Sequence, residues 1–480
     1  MIIKSTDKIE KTGFDAIVIA SDTENIGKIK ERYSEVGEYI DTECFDGVKA
    51  RRFSVTKVVE GKKKKYILIS LCGCLTSEDI LDIFGKAAKE FSSEKARKVL
   101  VDASLAESLK DDEKAVAGMK GLAHGSYSFN KFFTDKKAEE PEKIKIYSDG
   151  IIEDNIIEKA NAINESIRLA KYMVDEPANI MTPEEIAKTA EKSLKGTDVK
   201  VKIYEKEEIE NLGMTLFMNV AKGSKHKPRL IVMKYFGNKD SKEITALIGK
   251  GLAYDTGGYS IKTNKGMKDM KCDMGGAASV IGAMNLIAYE KPAVNVIGVV
   301  ATCENRISGN SYLPGDILTS MNGKTVEIEN TDAEGRLTLA DAMTYAIRKE
   351  GATKVVDICT LTGACVAALG EEYAGVVTKC DELWAKTEEV SKKSLDPCWR
   401  LPLNKRIEDF NRSKVADLKN SGGQPGCETA AAFVGEFSEG LPWIHFDIAG
   451  TAMVEKEKDY LRAGATGFGV HLLSELVKVL

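Results

Sequence analysis

The stretch "ITALIGKGLAYDTGG" (residues 244–258) predicts how the larger part of this chain folds. Its first six residues form an unbroken apolar run, and a polar, glycine-rich segment follows at once. Such a run is typical of a strand buried on both faces, and the glycines predict a turn where the strand ends. Ligand sites in α/β sheets lie beyond the carboxyl ends of the strands. Lys250 and Asp255 are therefore candidate functional residues.

The same alternation of strands and helices continues along the chain. Downstream strands are predicted at 294–303, 353–360 and 443–450, and helices at 275–290, 336–350 and 464–480. Upstream, short β-rich runs flank a predicted helix at 77–98; these runs span residues 15–21, 51–59, 65–71, 98–103 and 143–148. Apolar strands that alternate with helices predict α/β sheets covered by helices.

We therefore predict an α/β fold of two domains, each with a mostly parallel or mixed sheet flanked by helices. Residues 1–150 are the predicted N-terminal α/β domain, with an oligomerisation or regulatory role. A helix within 151–179 is the predicted connector, and 180–480 the catalytic domain. The catalytic site is expected at the carboxyl ends of the strands of this larger domain.

The composition excludes several classes of function. The 480 residues include 69 Lys and Arg against 74 Asp and Glu, and this balance does not favour nucleic-acid or membrane-surface binding. No apolar run approaches the roughly 18 residues of a membrane span. The ten cysteines form no CxxC pair, which indicates free thiols in a reducing compartment. We expect a cytoplasmic protein in which "GKKKKY" (61–66) is the solvated tip of a hairpin.

Polar clusters occur at three predicted strand ends. The first contains Lys250, Asp255, Lys262 and Asp273; "NTDAEGR" (330–336) contributes Asp332 and Glu334, and "DICTLTGACVAALG" (357–370) is the third. Acids before a helix are often caps, worth about 0.3–1 kcal/mol each. Capping alone does not explain acids that converge in one crevice, where they repel one another and lose hydration.

Divalent metal ions would neutralise such a crevice, so the residues alone predict a di-metal hydrolase. The metals would generate a hydroxide near neutral pH and polarise the scissile carbonyl, and the nearby lysines and arginine would stabilise an anionic transition state. A set dominated by oxygen ligands suits Mn, Mg or Co as well as Zn. All four histidines lie outside the clusters. Asp341, farther along the predicted helix, is expected to be solvated or to lie behind the ligands.

These motifs resemble those of the leucyl aminopeptidase (cytosol aminopeptidase) family. The resemblance rests on "NTDAEGRLTLADA" (330–342), "GKGLAYDTGGYSIK" (249–262) and "DMGGAA" (273–278), with further similar stretches between residues 160 and 480. It implies a metal-dependent exopeptidase that removes N-terminal amino acids from peptides through a metal-bridging hydroxide. It also implies a homohexamer.

The resemblance further implies a role for each matching residue. One metal site would comprise Asp255, Asp332 and Glu334, and the other Lys250, Asp255, Asp273 and Glu334, with Asp255 and Glu334 bridging. Lys262 would contact the substrate carbonyl, and Arg336 would hold a bicarbonate-like anion that acts as general base. The pocket for the first side chain, suited to Leu or Met, would be lined by Met270, Thr360, Leu361, Gly363, Ala452 and Met453.

Two alternatives stay open at this point. The same scaffold could serve a DNA-binding or regulatory role, since some members of the resembling family also bind DNA. The equal numbers of basic and acidic residues in 1–150 argue against that role. A non-catalytic peptide or nucleotide binder is the other alternative. The complete set of predicted ligands argues against it.

Overall fold

A computed structural model describes residues 2–9, 13–22, 25–33, 53–54, 65–71, 75–135 and 139–480. Contacts divide the chain into two compact units. The first comprises Met1–Glu165 with Glu455–Gly464, and the second comprises Ser166–Val454 with Ala465–Leu480. Although residues 455–464 follow the bulk of the second unit in sequence, their contacts place them in the first.

The first unit contains a six-stranded sheet, ordered β1-β6-β5-β2-β4-β3, in which all neighbours are parallel except β4 and β3. Its strands are β1 (Ile2–Ser5), β2 (Ala16–Asp22), β3 (Phe53–Ser54), β4 (Lys65–Leu71), β5 (Lys98–Leu105) and β6 (Lys143–Tyr147). Among the described residues, four α-helices accompany them: Ile26–Arg32, Ser77–Ser93, Asp112–Ser126 and Asp154–Asp175, the last continuing into the second unit. A 3₁₀ helix covers Glu107–Lys110.

Several predicted elements of this unit have nearly the predicted bounds. The helix predicted at 77–98 spans Ser77–Ser93. Its N-cap is Thr76, whose side chain accepts a hydrogen bond from the Asp79 N–H and completes a capping box. The strand predicted at 51–59 is described only at Phe53–Ser54. The predicted lysine-rich tip, 61–64, lies outside the described residues.

The second unit contains an eight-stranded mixed sheet, ordered β15-β14-β17-β13-β9-β10-β8-β7. Its central strands, β17, β13, β9 and β10, are mutually parallel. The strands are β7 (Lys200–Tyr204), β8 (Arg229–Phe236), β9 (Thr245–Asp255), β10 (Asn295–Asn305), β13 (Lys354–Cys359), β14 (Ala374–Val377), β15 (Cys398–Arg400) and β17 (Trp443–Asp447). A three-stranded sheet contains β11 (Ile317–Thr319), β12 (Thr325–Glu327) and β16 (Leu418–Lys419), and a two-stranded one β18 (Met453–Val454) and β19 (Gly464–Ala465).

Helices cover this sheet on both faces. They are Pro183–Ser193, Lys206–Asn211, Thr215–Ala221, Asn264–Met267, Gly275–Glu290, Gly335–Glu350, Gly363–Leu369, Asp381–Ser394, Lys405–Asp409, Gly426–Gly435 and Val470–Val479, with a 3₁₀ helix at Met270–Met274. Every residue of β10 is buried, as expected for a strand covered on both sides. The predicted class, two α/β sheets flanked by helices, is confirmed.

Several elements differ in extent from the prediction. β9 does not end at residue 249 but continues to Asp255, pairing with β10 through an irregularity between Cys303 and Glu304. Lys250 therefore lies inside a buried strand and not in the turn after it. The helix predicted at 152–179 spans Asp154–Asp175, and the one predicted at 464–480 begins only at Val470.

Glycines bring the helix Gly275–Glu290 into backbone contact with the sheet. A Cβ added to Gly276 would lie 2.1 Å from the Ile358 carbonyl oxygen of β13, and one added to Gly249 would lie 2.7 Å from the Gly276 carbonyl oxygen. Because no side chain separates the helix from the strands, its first turn is held against the part of β9 that contains Lys250.

Candidate metal centre and active site

The site lies at the carboxyl ends of the parallel strands of the second unit. β9 carries Lys250 near its middle and Asp255 at its end; the 3₁₀ helix Met270–Met274 carries Asp273, and Glu334 directly precedes the helix Gly335–Glu350. These four ionisable side chains belong to residues that are only 1–4% exposed. Charged residues are rarely buried to this extent unless they are paired or bind a metal.

Lys250 joins two of the carboxylates. Its Nζ lies 2.7 Å from Asp273 Oδ1 and 3.1 Å from Glu334 Oε1, and it donates to the Thr360 carbonyl oxygen at 2.9 Å. Burial alone would lower the pKa of Lys250, but the surrounding carboxylates raise it well above its ordinary value. In the absence of a metal, the lysine is thus the cation that neutralises this part of the crevice.

A glycine turn brings a second lysine to the other side of the site. Gly257 and Gly258 have φ angles of +85° and +62°, which side chains rarely adopt, and a Cβ on Gly257 would lie 2.8 Å from Asp332 Oδ1. The chain then returns so that Lys262 Nζ lies 2.9 Å from Asp255 Oδ2 and 2.5 Å from Asp332 Oδ1. Although burial opposes the charge on Lys262, these acids raise its pKa.

Three carboxylates of the site, Asp273, Asp332 and Glu334, resist ionisation when no metal balances them. Burial, supported by the charge of Asp255, raises the pKa of Glu334 to about 8, although Lys250 opposes the shift. Burial likewise raises the pKa of Asp273 to about 6 and that of Asp332 above its ordinary range. A site that carries excess negative charge in a low dielectric favours the binding of cations.

The arrangement of oxygens fits a metal centre. Asp255, Asp273 and Glu334 each present an oxygen, and the three oxygens lie within 4.8 Å of one another. Asp273 Oδ2 and Glu334 Oε2 are buried and have no hydrogen-bond partner among the described residues. Buried polar atoms are nearly always paired, so unpaired oxygens facing one crevice mark it as a ligand site. The donor set therefore fits divalent metal ions.

Arg336 lies in the first turn of the helix Gly335–Glu350 and is almost completely buried. One terminal nitrogen of its guanidinium donates to the Asn420 carbonyl oxygen at 2.8 Å, whereas its Nε–H has no hydrogen-bond partner among the described residues. Burial lowers the pKa of Arg336, a sign of incomplete neutralisation by its surroundings. A buried guanidinium with a free donor suits a small planar anion.

The residues predicted to line the first side-chain pocket are partly brought together. Thr360 Cγ2 and Ala452 Cβ would both lie 3.2 Å from a Cβ on Gly275. Met270 opens the 3₁₀ helix that carries Asp273, Met453 is half-buried in β18, Leu361 is half-buried and Gly363 begins a helix at the surface. Thr360 also donates to Asp273 Oδ1 at 2.9 Å, so the pocket loop touches a candidate ligand.

The sequence reasoning assigned no role to three residues that hold the site together. Asn305 donates to Asp255 Oδ1 and to the Thr331 carbonyl oxygen, and Thr331 Oγ1 donates to the Gly257 carbonyl oxygen. Asn420 donates to the Asn330 and Ala333 carbonyl oxygens, which fixes the loop before Glu334. The position of Asn305 at the end of β10, beside Asp255, is the only signal that could have pointed to it.

The expected solvation of Asp341 is wrong. This carboxylate is fully buried and accepts hydrogen bonds from the backbone N–H groups of Met321 and Phe217. Since both partners lie outside the site, Asp341 ties neighbouring segments to its helix. His445 is also buried. Its Nδ1 lies 2.6 Å from Asp357 Oδ1, and it does not contact the candidate ligands.

Buried carboxylates and lysines that converge at the strand ends of an α/β sheet fit a metal-dependent hydrolase. The comparisons with known proteins identify which one. The model of the "Cytosol aminopeptidase family, catalytic domain" matches residues 168–474, and that of the family's N-terminal domain matches residues 35–136. The chain belongs to the cytosol aminopeptidase family, and the resemblance stated from its motifs is confirmed. Membership makes it a metal-dependent aminopeptidase.

Individual relatives agree with the family models. The chain is 45% identical to a probable cytosol aminopeptidase of Clostridium perfringens, with 90% of each chain covered. It is 43% identical to one of Treponema denticola, covering 92% of this chain and 91% of that one. A solved mutant of tomato leucine aminopeptidase superimposes with a TM-score of 0.86 at 31% identity, covering 100% of this chain and 97% of that one.

Proposed function

We propose that this aminopeptidase removes a leucine-like or methionine-like first residue from peptides at a centre of two divalent metal ions. The observation that carries the proposal is the convergence of Asp255, Asp273 and Glu334, whose oxygens come from three separate elements and lie within 4.8 Å of one another. Family membership supports the peptide substrate.

The ligand residues divide into two overlapping sets. Asp255, Asp332 and Glu334 would hold one ion, and Lys250, Asp255, Asp273 and Glu334 the other. Mn or Zn, with Mg or Co also suited, would supply Lewis acidity and a coordinated water of lowered pKa. Lys250 must give up its proton to become a ligand. The charge of two dications would favour that loss, because they replace its role as counter-ion to Asp273 and Glu334.

The remaining residues would bind and orient the substrate. Lys262 lies beside Asp255 and Asp332, where its ammonium can donate to the scissile carbonyl oxygen and to the negative charge that develops there. Arg336 would hold a bicarbonate-like anion on its free Nε–H, and this anion would accept a proton from the attacking water. Met270, Thr360, Leu361, Gly363, Ala452 and Met453 would form the pocket for the first side chain.

Two further expectations do not depend on the geometry of this site. The homohexamer predicted from the resemblance would be tested by light scattering. No helix among the described residues is long and apolar enough to cross a membrane. The cytoplasmic location predicted from the sequence is supported by the names of the relatives, which are probable cytosol aminopeptidases.

The proposal is tested with chelator-stripped protein reconstituted with Mn²⁺ or Zn²⁺. We expect leucyl amide to be cleaved and N-acetyl-leucyl amide to be left intact, because the free amine is required. Glu334→Gln should lower kcat/KM by on the order of 10³-fold, the size of effect seen when a main electrostatic group of an active site is lost. The matched control is Glu329→Gln, an exposed acid nearby. Normal activity in the Glu334 variant would refute the site, and cleavage of the acetylated substrate would refute the exopeptidase.

A further inference from the structure

The loop of residues 360–363 contacts two of the candidate metal ligands. The Thr360 carbonyl oxygen accepts from Lys250 Nζ, and Thr360 Oγ1 donates to Asp273 Oδ1, both at 2.9 Å. The same loop contains Leu361 and Gly363, which belong to the proposed pocket. Whatever fixes the backbone of this loop therefore fixes both the pocket and the surroundings of the ligands.

Asp447 holds that loop from the neighbouring strand. It is the last residue of β17, lies opposite Cys359 of β13 in register and is 0% exposed. Its Oδ1 accepts from the backbone N–H groups of Leu361 at 3.1 Å and Thr362 at 3.4 Å, and its Oδ2 accepts from Thr362 Oγ1 at 2.6 Å. Three donors of one short loop thus converge on one carboxylate.

Thr362 passes this restraint on to the next helix. Its Oγ1, which donates to Asp447, also accepts from the Cys365 N–H at 3.0 Å and so caps the helix Gly363–Leu369. The other donors to Asp447 are the Ala449 N–H at 3.1 Å and the Cys427 thiol at 3.6 Å. Neither of these belongs to the loop.

Burial of a carboxylate in a sheet costs free energy unless the carboxylate has good hydrogen bonds. Hydrogen bonds to an ionised acceptor are shorter and about twice as strong as neutral ones. A carboxylate at this position therefore restrains the loop more firmly than an amide or a hydroxyl would. The strength of this restraint matters because the loop touches Lys250 and Asp273.

We propose that Asp447 is a positioning residue of the aminopeptidase, acting through Leu361 and Thr362 to hold the pocket loop against Lys250 and Asp273. It touches neither substrate nor metal. The inference rests on the proposed function, because it assigns the fit of the first side chain to a residue outside the pocket.

The test compares Asp447→Asn and Thr362→Ala with Thr362→Ser, which keeps the hydroxyl, and with Cys427→Ala, which removes a donor to the same carboxylate but keeps the bonds of Leu361 and Thr362 to Asp447. Hydrogen exchange of the peptide containing residues 360–365 is followed by mass spectrometry. The kcat and KM are measured for leucyl and alanyl substrates, and the metal content per subunit is determined.

We expect exchange in the loop to rise at least 10-fold in Asp447→Asn and Thr362→Ala. The KM for the leucyl substrate should rise about 10-fold, and clearly more than that for the alanyl one. Thr362→Ser and Cys427→Ala should stay within about 2-fold of wild type. Should Asp447→Asn fail to fold, the Thr362 pair decides alone.

Equal losses on both substrates, or loop exchange unchanged from wild type, would overturn the inference. A general structural weakness would lower both activities alike and would not change the preference between the substrates. An inactive wild-type protein would instead refute the proposed function, so the two failures are distinguishable.

Discussion

Replacement of Lys250 by Met should destabilise the metal-free protein, and most strongly at high pH. Met keeps most of the length and the apolar stem of lysine but removes the ammonium, which lies 2.7 Å from Asp273 Oδ1 and 3.1 Å from Glu334 Oε1. Removal of one partner from a buried ion pair costs about 3–5 kcal/mol, because the other charge is left buried and unpaired.

The size of the loss should depend on pH. Burial and Asp255 raise the pKa of Glu334 to about 8 while Lys250 opposes the shift, so the loss of Lys250 raises that pKa further. A carboxyl whose pKa is higher in the folded state than its ordinary value of 4.5 binds protons that the unfolded chain releases. Stability of the metal-free protein therefore falls as the pH rises from about 4.5 to 8. At pH 6 a proton can replace the missing ammonium at small cost, whereas at pH 9 the same protonation costs more free energy.

The assay is thermal unfolding of both proteins in chelator and in Mn²⁺, at pH 6 and at pH 9. At pH 9 in chelator we expect the Tm of Lys250→Met to lie at least roughly 5 °C below that of wild type, since each kcal/mol shifts Tm by about 2–4 °C in a domain of 150–250 residues. The difference in Tm should narrow at pH 6 and should persist in Mn²⁺, because the variant lacks a proposed metal ligand. Lys268→Met, at an exposed lysine, is the control. Equal Tm values in chelator at pH 9 would refute the ion-pair account of this crevice.

Three further predictions concern the framework. Asp341→Asn should lower the free energy of unfolding, measured by urea titration, by about 1–3 kcal/mol, because the amide NH₂ would face a backbone N–H donor. An unchanged free energy would contradict the role of Asp341 in tying these segments together. Burial would raise the pKa of Glu475, but Lys478 and other cations lower it from 4.5 to about 2. Because the unfolded chain therefore binds a proton more readily than the folded one, wild type should lose stability as the pH falls from 4.5 to 2. The Tm of Glu475→Gln should fall less than that of wild type over this pH range. If the two proteins show the same dependence of Tm on pH, Glu475 does not contribute this stability. Gly276→Ala should abolish folding, as judged by circular dichroism, because its Cβ would lie 2.1 Å from the Ile358 carbonyl oxygen; a native-like spectrum would refute this.

The central sheet of the second unit could be predicted because its strands are unbroken apolar runs. The outer strands could not. β8 pairs antiparallel with β10, and β14 with β17, pairings that depend on tertiary packing and leave no separate signal in the sequence. The extension of β9 past Lys250 was missed for a related reason. A lysine normally ends a buried run, but this one is neutralised by acids from distant segments.

The clustering of the acids could be predicted because the carboxyl ends of neighbouring parallel strands meet at one edge of the sheet, and the structure brings Asp255, Asp273 and Glu334 together. The supporting residues could not be assigned. Asn305 and Asn420 act through hydrogen bonds to residues distant in sequence, and an asparagine at a strand end or in a loop has many ordinary uses. The apolar run that contains Asp447 predicts only a buried strand. Its role could not be predicted, because it depends on the register that pairs Asp447 of β17 with Cys359 of β13.

The direct contact of the helix Gly275–Glu290 with β9 and β13 has a consequence for attempts to alter this enzyme. Side chains in a core can repack around a substitution, but two backbones in contact have nothing between them that can adjust. The distance between Asp273 and Lys250 is thus set by the main chain, independently of the composition of the rest of the core. Libraries that seek a new substrate preference should therefore keep Gly249 and Gly276 fixed, and also Thr360, which contacts both Lys250 and Asp273, while the other pocket residues are varied.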